Sequence, residues 1–191
     1  MNTKTLFTST ILLTQHCVTA LTLIGSAIVP QIANAAPALT EESRLGTNGI
    51  GPVHAGMSIG EAESASGRRF IIQKNPLGGN CTYATARGLD GVSFMLIKGI
   101  IERVDIKNRR MLTLRGAKIG DSEKRINSLY PDQIKTTPHP YQSRSGGHYL
   151  TFFPQDKEDQ DYRLIFETSS GKVNAFRAGR LPAVDYIEGC S

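Results

Sequence analysis

Beyond residue 50 the apolar positions of this chain follow two patterns in turn, and each pattern is met twice. A short stretch with helical spacing comes first, then a longer one that alternates as strands do. In the first round Ile59, Ala62 and Ala65 share the face of a helix opened by Ser58 and closed by Gly67. Glu61, three residues past Ser58, completes a capping box, in which side chain and backbone exchange hydrogen bonds. So little apolar surface cannot hold so short a helix by itself, so the helix must lean on a sheet. Residues 69–73 are β-branched and aromatic and predict a strand, 75–80 a turn, and 81–86 a second, weakly alternating strand. Residues 92–97 and 100–106 flank Lys98-Gly99 and predict a hairpin, in which Val92, Phe94 and Leu96 share one face, as do Val104 and Ile106. Upstream, residues 50–53 predict a short edge strand interrupted by Pro52.

The second round keeps the order and changes the residues. Gly120-Asp121-Ser122 opens a helix with Ile126 and Leu129 inward, and Pro131 marks its stop. Residues 134–137 parallel 70–73, and 148–153 parallel 81–86 with Tyr149 matched to Tyr83. Residues 162–167 and 172–177 flank Thr168-Ser169-Ser170-Gly171, a second hairpin in which Phe166 matches Phe94. The offset between rounds grows from 64 to 72 residues because the loops at 138–147 and 154–161 are longer. This order predicts an α+β fold of two tandem modules, 50–113 and 114–191, each a short helix packed on a small antiparallel sheet. Residues 36–49, small and polar, read as a flexible lead-in. The tail at 179–190 is too apolar to dangle and is expected to be tied back to the first module.

Residues 1–35 have Lys4 as their only charged side chain, an apolar stretch over 11–29, and Ala33-Asn34-Ala35 at the end. That is the pattern of a secretory signal peptide cleaved before Ala36, which makes the mature protein secreted or periplasmic. The competing reading is an uncleaved membrane anchor; no later segment is apolar for long enough to span. Cleavage removes Cys17 and leaves Cys81 and Cys190. In an oxidising compartment the simplest outcome is a disulfide between them, with free thiols or an intermolecular bridge as the alternatives.

Charge changes the picture little. The chain holds 22 Lys and Arg against 17 Asp and Glu, a net +5. The basic residues are interspersed with acids except in Lys107-Asn108-Arg109-Arg110, which reads as a solvated connector, with affinity for anionic lipid or wall polymer as its alternative. Export argues against nucleic acid as a partner. The acidic run at 156–161 reads as a solvated loop.

The richest candidate chemistry is the loop carrying His139, Tyr141, His148 and Tyr149. Two histidines nine positions apart, each beside a tyrosine, could meet across a hairpin as acid/base groups. A zinc site would want further donors at recognisable spacing, and none is present, so neither a metal nor a cofactor is expected. Two readings of the loop stand besides: prolines stiffening an exposed turn while Tyr141 and Tyr149 cover the sheet edge, or a recognition surface in which the tyrosines offer apolar area with a polar tip.

Gly56-Met57-Ser58, then Glu61-Ala62 and Gly67, resembles the G-M-T/S-x-x-E/Q-V/A-x-x-x-x-G signature of the small αβ modules found in the β-lactamase inhibitor protein and in the SmpA/OmlA outer-membrane assembly lipoproteins. The resemblance implies a helix on an antiparallel sheet, two modules in tandem as in the inhibitor, and a habit of binding proteins with the sheet face or loops. The chain departs from both: it has one cysteine per module where the inhibitor has an internal disulfide, and it lacks the lipidated cysteine of the lipoproteins. The expectation is an exported protein-binding or inhibitory module of the cell envelope, whose partner is another envelope or secreted protein. The alternative is a cell-envelope hydrolase using the histidine/tyrosine loop.

Overall fold

The computed structural model describes residues 38–75, 78–142 and 146–190. The expected signal peptide at 1–35 lies outside them. In chain order the elements are β1 (Arg44–Leu45), β2 (Gly49–Ile50), β3 (Val53–His54), α1 (Ile59–Ser66), β4 (Phe70–Ile72), β5 (Cys81–Ala86), β6 (Val92–Ile97), β7 (Ile100–Ile106), β8 (Leu112–Thr113), α2 (Glu123–Leu129), β9 (Ile134–Pro138), β10 (His148–Phe152), β11 (Tyr162–Ser169) and β12 (Lys172–Arg180). The fold is α+β: two modules in tandem, each a short helix packed on an antiparallel four-stranded sheet. The two sheets join edge to edge, and the combined order is β4-β5-β6-β7-β12-β11-β10-β9.

Both helices start as their caps require. Ser58 Oγ accepts the Glu61 N–H while Glu61 accepts the Ser58 N–H, and Gly67 closes α1 in the left-handed conformation. Ser122 caps α2 by accepting the Arg125 N–H. Neither helix is long, and each adds few apolar residues to the core: Ala62 and Ile126 fully buried, Ile59 and Leu129 packed beside them. The main core lies between the helices and one face of the eight-stranded sheet, where Phe70, Phe94, Phe166 and Phe176 meet Leu96, Ile106, Leu150 and Leu164.

Two helices this short leave part of that core uncovered, and the segment expected to be a flexible lead-in covers it. Its β1 pairs with β2 and, in parallel, with β8, so that β3, β2, β1 and β8 form a second sheet. Leu39 and Leu45 are fully buried in the main core. The expected single edge strand at 50–53 is a tight hairpin of β2 and β3 about Gly51-Pro52. The seam between the modules is the β7–β12 pair, in register Asp105↔Arg177 and Arg103↔Gly179. Among the described residues no helix is long and apolar enough to cross a membrane.

Candidate functional site

Strand alternation assigns every second residue to the face turned away from the helices. On β5, β7, β10, β11 and β12 these residues include Tyr83, Arg103, Asp105, Tyr149, Ile165, Glu167 and Arg177. A sheet face bearing two arginines and two carboxylates along its midline is not built as a second core. The C-terminal tail crosses it instead. After a cis Leu181–Pro182 peptide the tail makes a 3-10 turn over Ala183–Asp185. Val184 is buried there against Tyr149 and Ile165. The tail ends at the Cys81–Cys190 disulfide, with the two Cα atoms 5.3 Å apart.

The arginines hold the tail down through its backbone. Arg103 donates from Nη1 to the Ala183 carbonyl (3.0 Å) and the Tyr186 carbonyl (2.7 Å), from Nη2 to the Tyr83 hydroxyl (2.8 Å), and from Nε to Asp105 (3.0 Å). Arg177 donates from Nε to the Val184 carbonyl (2.7 Å), pairs with Glu167, and lies over the Tyr149 ring at 5.1 Å. Both guanidiniums are buried; a planar, always-charged fork with several donors suits such a place, because each donor can be satisfied at once. Burial pushes the Asp105 carboxyl above the ordinary aspartate range, against the pull of Arg103. Burial likewise raises the Tyr83 phenol, and raises Tyr149 with help from the Glu167 charge, so both hydroxyls stay protonated. Between the tail's last residues and the sheet lies a cavity of about 410 Å³, bordered by Tyr83, Arg103, Asp105, Glu167, Arg177 and Ile187.

The four residues expected to form one recognition loop are split by the sheet. His148 pairs opposite Pro138, one residue short of His139, so the two histidines fall on opposite faces rather than meeting across the hairpin. His139 is buried on the open face, 4% exposed, stacked on Tyr149 at 4.4 Å between ring centres. Its Nδ1 accepts the Tyr141 N–H, and its Nε2 lies 3.9 Å from Glu167. His148 turns to the helix side, where its Nδ1 lies 2.9 Å from Glu123 at the start of α2. Glu123 also accepts from the Thr168 hydroxyl at 2.6 Å. Burial opposes ionisation of Glu123, but the hydrogen bonds from Thr168 and His148 and the His148 ring beside it outweigh that, and its carboxyl lies below the ordinary range. This hydroxyl–carboxylate–imidazole group clamps α2 to β10 and β11; Thr168 is fully buried and out of reach of any substrate. Tyr149 is buried under the tail and does not cover the sheet edge.

Only Tyr141 stands out to solvent, 67% exposed. Its hydroxyl bonds Glu188 of the tail, a contact that raises the phenol's pKa. Tyr186 and Ile187, next to Glu188, are exposed as well. Loop and tail therefore make one apolar rim beside the polar cavity. Sequence reasoning missed the midline charges of this face. Their signal was the alternation of Arg103 and Asp105 with Val104 and Ile106, in which the polar positions are as regular as the apolar ones. Among the described residues no three His, Cys, Asp or Glu side chains converge as a metal site would require.

No protein-family model matches the chain, and no curated protein matches it. Among solved structures it is similar to an uncharacterized protein, yfeY, from Escherichia coli, with 15% identity over 72% of this chain and 99% of that one, at a TM-score of 0.45.

Proposed function

We propose that the chain is an exported protein-binding or inhibitory module of the cell envelope, and that it takes its partner on the rim formed by Tyr141, Tyr186 and Ile187. The observation that carries this reading is their joint exposure on two segments tied to each other by the Tyr141–Glu188 hydrogen bond, the tail being tied to the sheet by the disulfide. Ordered aromatic and aliphatic side chains of this kind lose little entropy on binding, which is what a recognition surface needs. The export signal expected at 1–35 and the disulfide both suit a secreted or periplasmic place. The likeness of Gly56-Met57-Ser58 and its flanking residues to the signature of inhibitor and assembly modules points to the same class. A hydrolase using the histidines is the weaker reading: His139 is buried, and His148 is committed to Glu123 on the other face.

The test is capture by the oxidised mature protein of envelope and secreted proteins from its own source, run in parallel with Tyr141→Ala and His148→Gln. A partner retained by wild type and His148→Gln but lost by Tyr141→Ala is the expected result. Hydrolysis of a wall polymer that disappears in His148→Gln, with no partner held by wild type, would reverse the assignment.

A further inference from the structure

Of the basic run at 107–110 only Lys107 borders the open-face cavity, and the fold divides its members. Arg110 pairs with Glu41. Asn108 is occupied locally: its Nδ2 donates to the Asp90 carbonyl at 2.8 Å and its Oδ1 accepts the Arg110 N–H at 2.9 Å. Lys107 and Arg109 remain, and they are joined by Lys172 at the start of β12, more than sixty residues away in sequence. The three cations border one cleft of about 360 Å³, whose floor is Ile119, Gly120 and Val173 and whose remaining polar lining is Ser169 and Asn174. No carboxylate lines it. The acids close to it in sequence are turned to other work: Asp105 holds Arg103, Asp121 holds the Lys118 N–H and Arg125, Glu123 holds Thr168 and His148, and Glu167 holds Arg177. Among the described residues, none of the three cations lies within ion-pair distance of an acid.

We propose that this cleft is a binding site for a phosphate group. Three like charges gathered by two distant segments repel one another, and no acid lines the cleft to offset that repulsion; a bound anion does. The frame beneath them is fixed by backbone: Gly120 N–H donates to the Val173 carbonyl (2.8 Å), Val173 N–H to the Asp121 carbonyl (2.9 Å), and Lys107 N–H to the Gly91 carbonyl (2.7 Å). One guanidinium fork and two ammonium groups match the three acceptor oxygens of a phosphate better than the two of a carboxylate. The group's source is either a lipid headgroup or a free phosphate, and one experiment separates them.

The oxidised full-length protein is titrated at low salt with inorganic phosphate while the backbone amides of Gly120, Lys172, Val173 and Asn174 are followed by NMR. The same protein is sedimented with vesicles of phosphatidylglycerol in phosphatidylcholine and with phosphatidylcholine alone. Saturable shifts confined to those amides, or sedimentation only with the anionic vesicles, are the expected results; the first identifies free phosphate and the second a headgroup. Either response should weaken about tenfold or more in Arg109→Ala/Lys172→Ala, where the cleft loses two of its three cations. It should survive in Arg109→Lys/Lys172→Arg and in Arg110→Ala. Lys107 is left intact because it also borders the open-face cavity, so failure here leaves the rim reading untouched. No response to either probe, or an equal response in the double alanine variant, overturns the proposal.

Discussion

Glu123 gathers two side chains from two strands onto one carboxylate oxygen, and a group so placed makes stability depend on pH. Its native carboxyl titrates below the ordinary glutamate range. As pH falls, the unfolded chain takes up the proton first, so the stability that Glu123 contributes is complete above that range and is lost as pH drops through the lowered native value. Glu123→Gln should cost about 1 kcal/mol at neutral pH. The gap between wild type and variant, measured as urea midpoints, should close under acid; a gap that is constant with pH would deny the clamp. At this scale the sequence is a partial guide. It marks His139, Tyr141, His148 and Tyr149 as unusual, but nine-residue spacing does not reveal the pairing register. With a period of two, an offset of one residue against Pro138 decides which face a histidine takes.

At the scale of elements, local signals and long-range pairing part company. The capping box at Ser58, the stop at Gly67 and the 92–106 hairpin are all written in contiguous residues, and each is found where those residues predict it. The seam between β7 and β12 is not, because it joins strands whose partners lie seventy or more residues apart. One residue does mark the seam in hindsight. A Cβ at Gly179 would overlap the Glu102 carbonyl oxygen and approach the Arg103 Cα to 2.7 Å, both of them backbone atoms of β7. Gly179→Ala should therefore cost about 3 kcal/mol or more, since neither atom can move without opening the sheet. A loss below about 1 kcal/mol in chemical denaturation would show that the strands are not so closely joined. The β1 strand escaped sequence reasoning for the opposite reason: two residues flanked by polar ones carry no periodicity, and only the uncovered core explains why Leu39 and Leu45 are drawn in.

For the whole molecule, the disulfide is the step that turns a sheet face into a site. It holds residues 186–190 above Tyr83 and Arg103, and Gly189 is the residue that fits: its φ is +70°, and a side chain there would strike the Tyr83 hydroxyl. Replacing both cysteines, Cys81→Ser and Cys190→Ser, should cost about 2–5 kcal/mol. It should also make the chain after Tyr186 an early site of proteolysis while the core, which the tail's last residues do not enter, still folds. Cysteine arithmetic was enough to expect this bond; what it ties together was visible only once the sheet was continuous across both modules.

The rim is the central claim, and the most direct measurement is site-specific photocrosslinking in the producing cells. A photoreactive residue is placed in turn at Tyr141, at Tyr186 and, on the helix side, at the exposed Ser64. Recognition through the rim predicts one discrete covalent adduct with an envelope or secreted protein from the first two positions and none from the third. No adduct from Tyr141 or Tyr186, or the same adduct from Ser64, would contradict it.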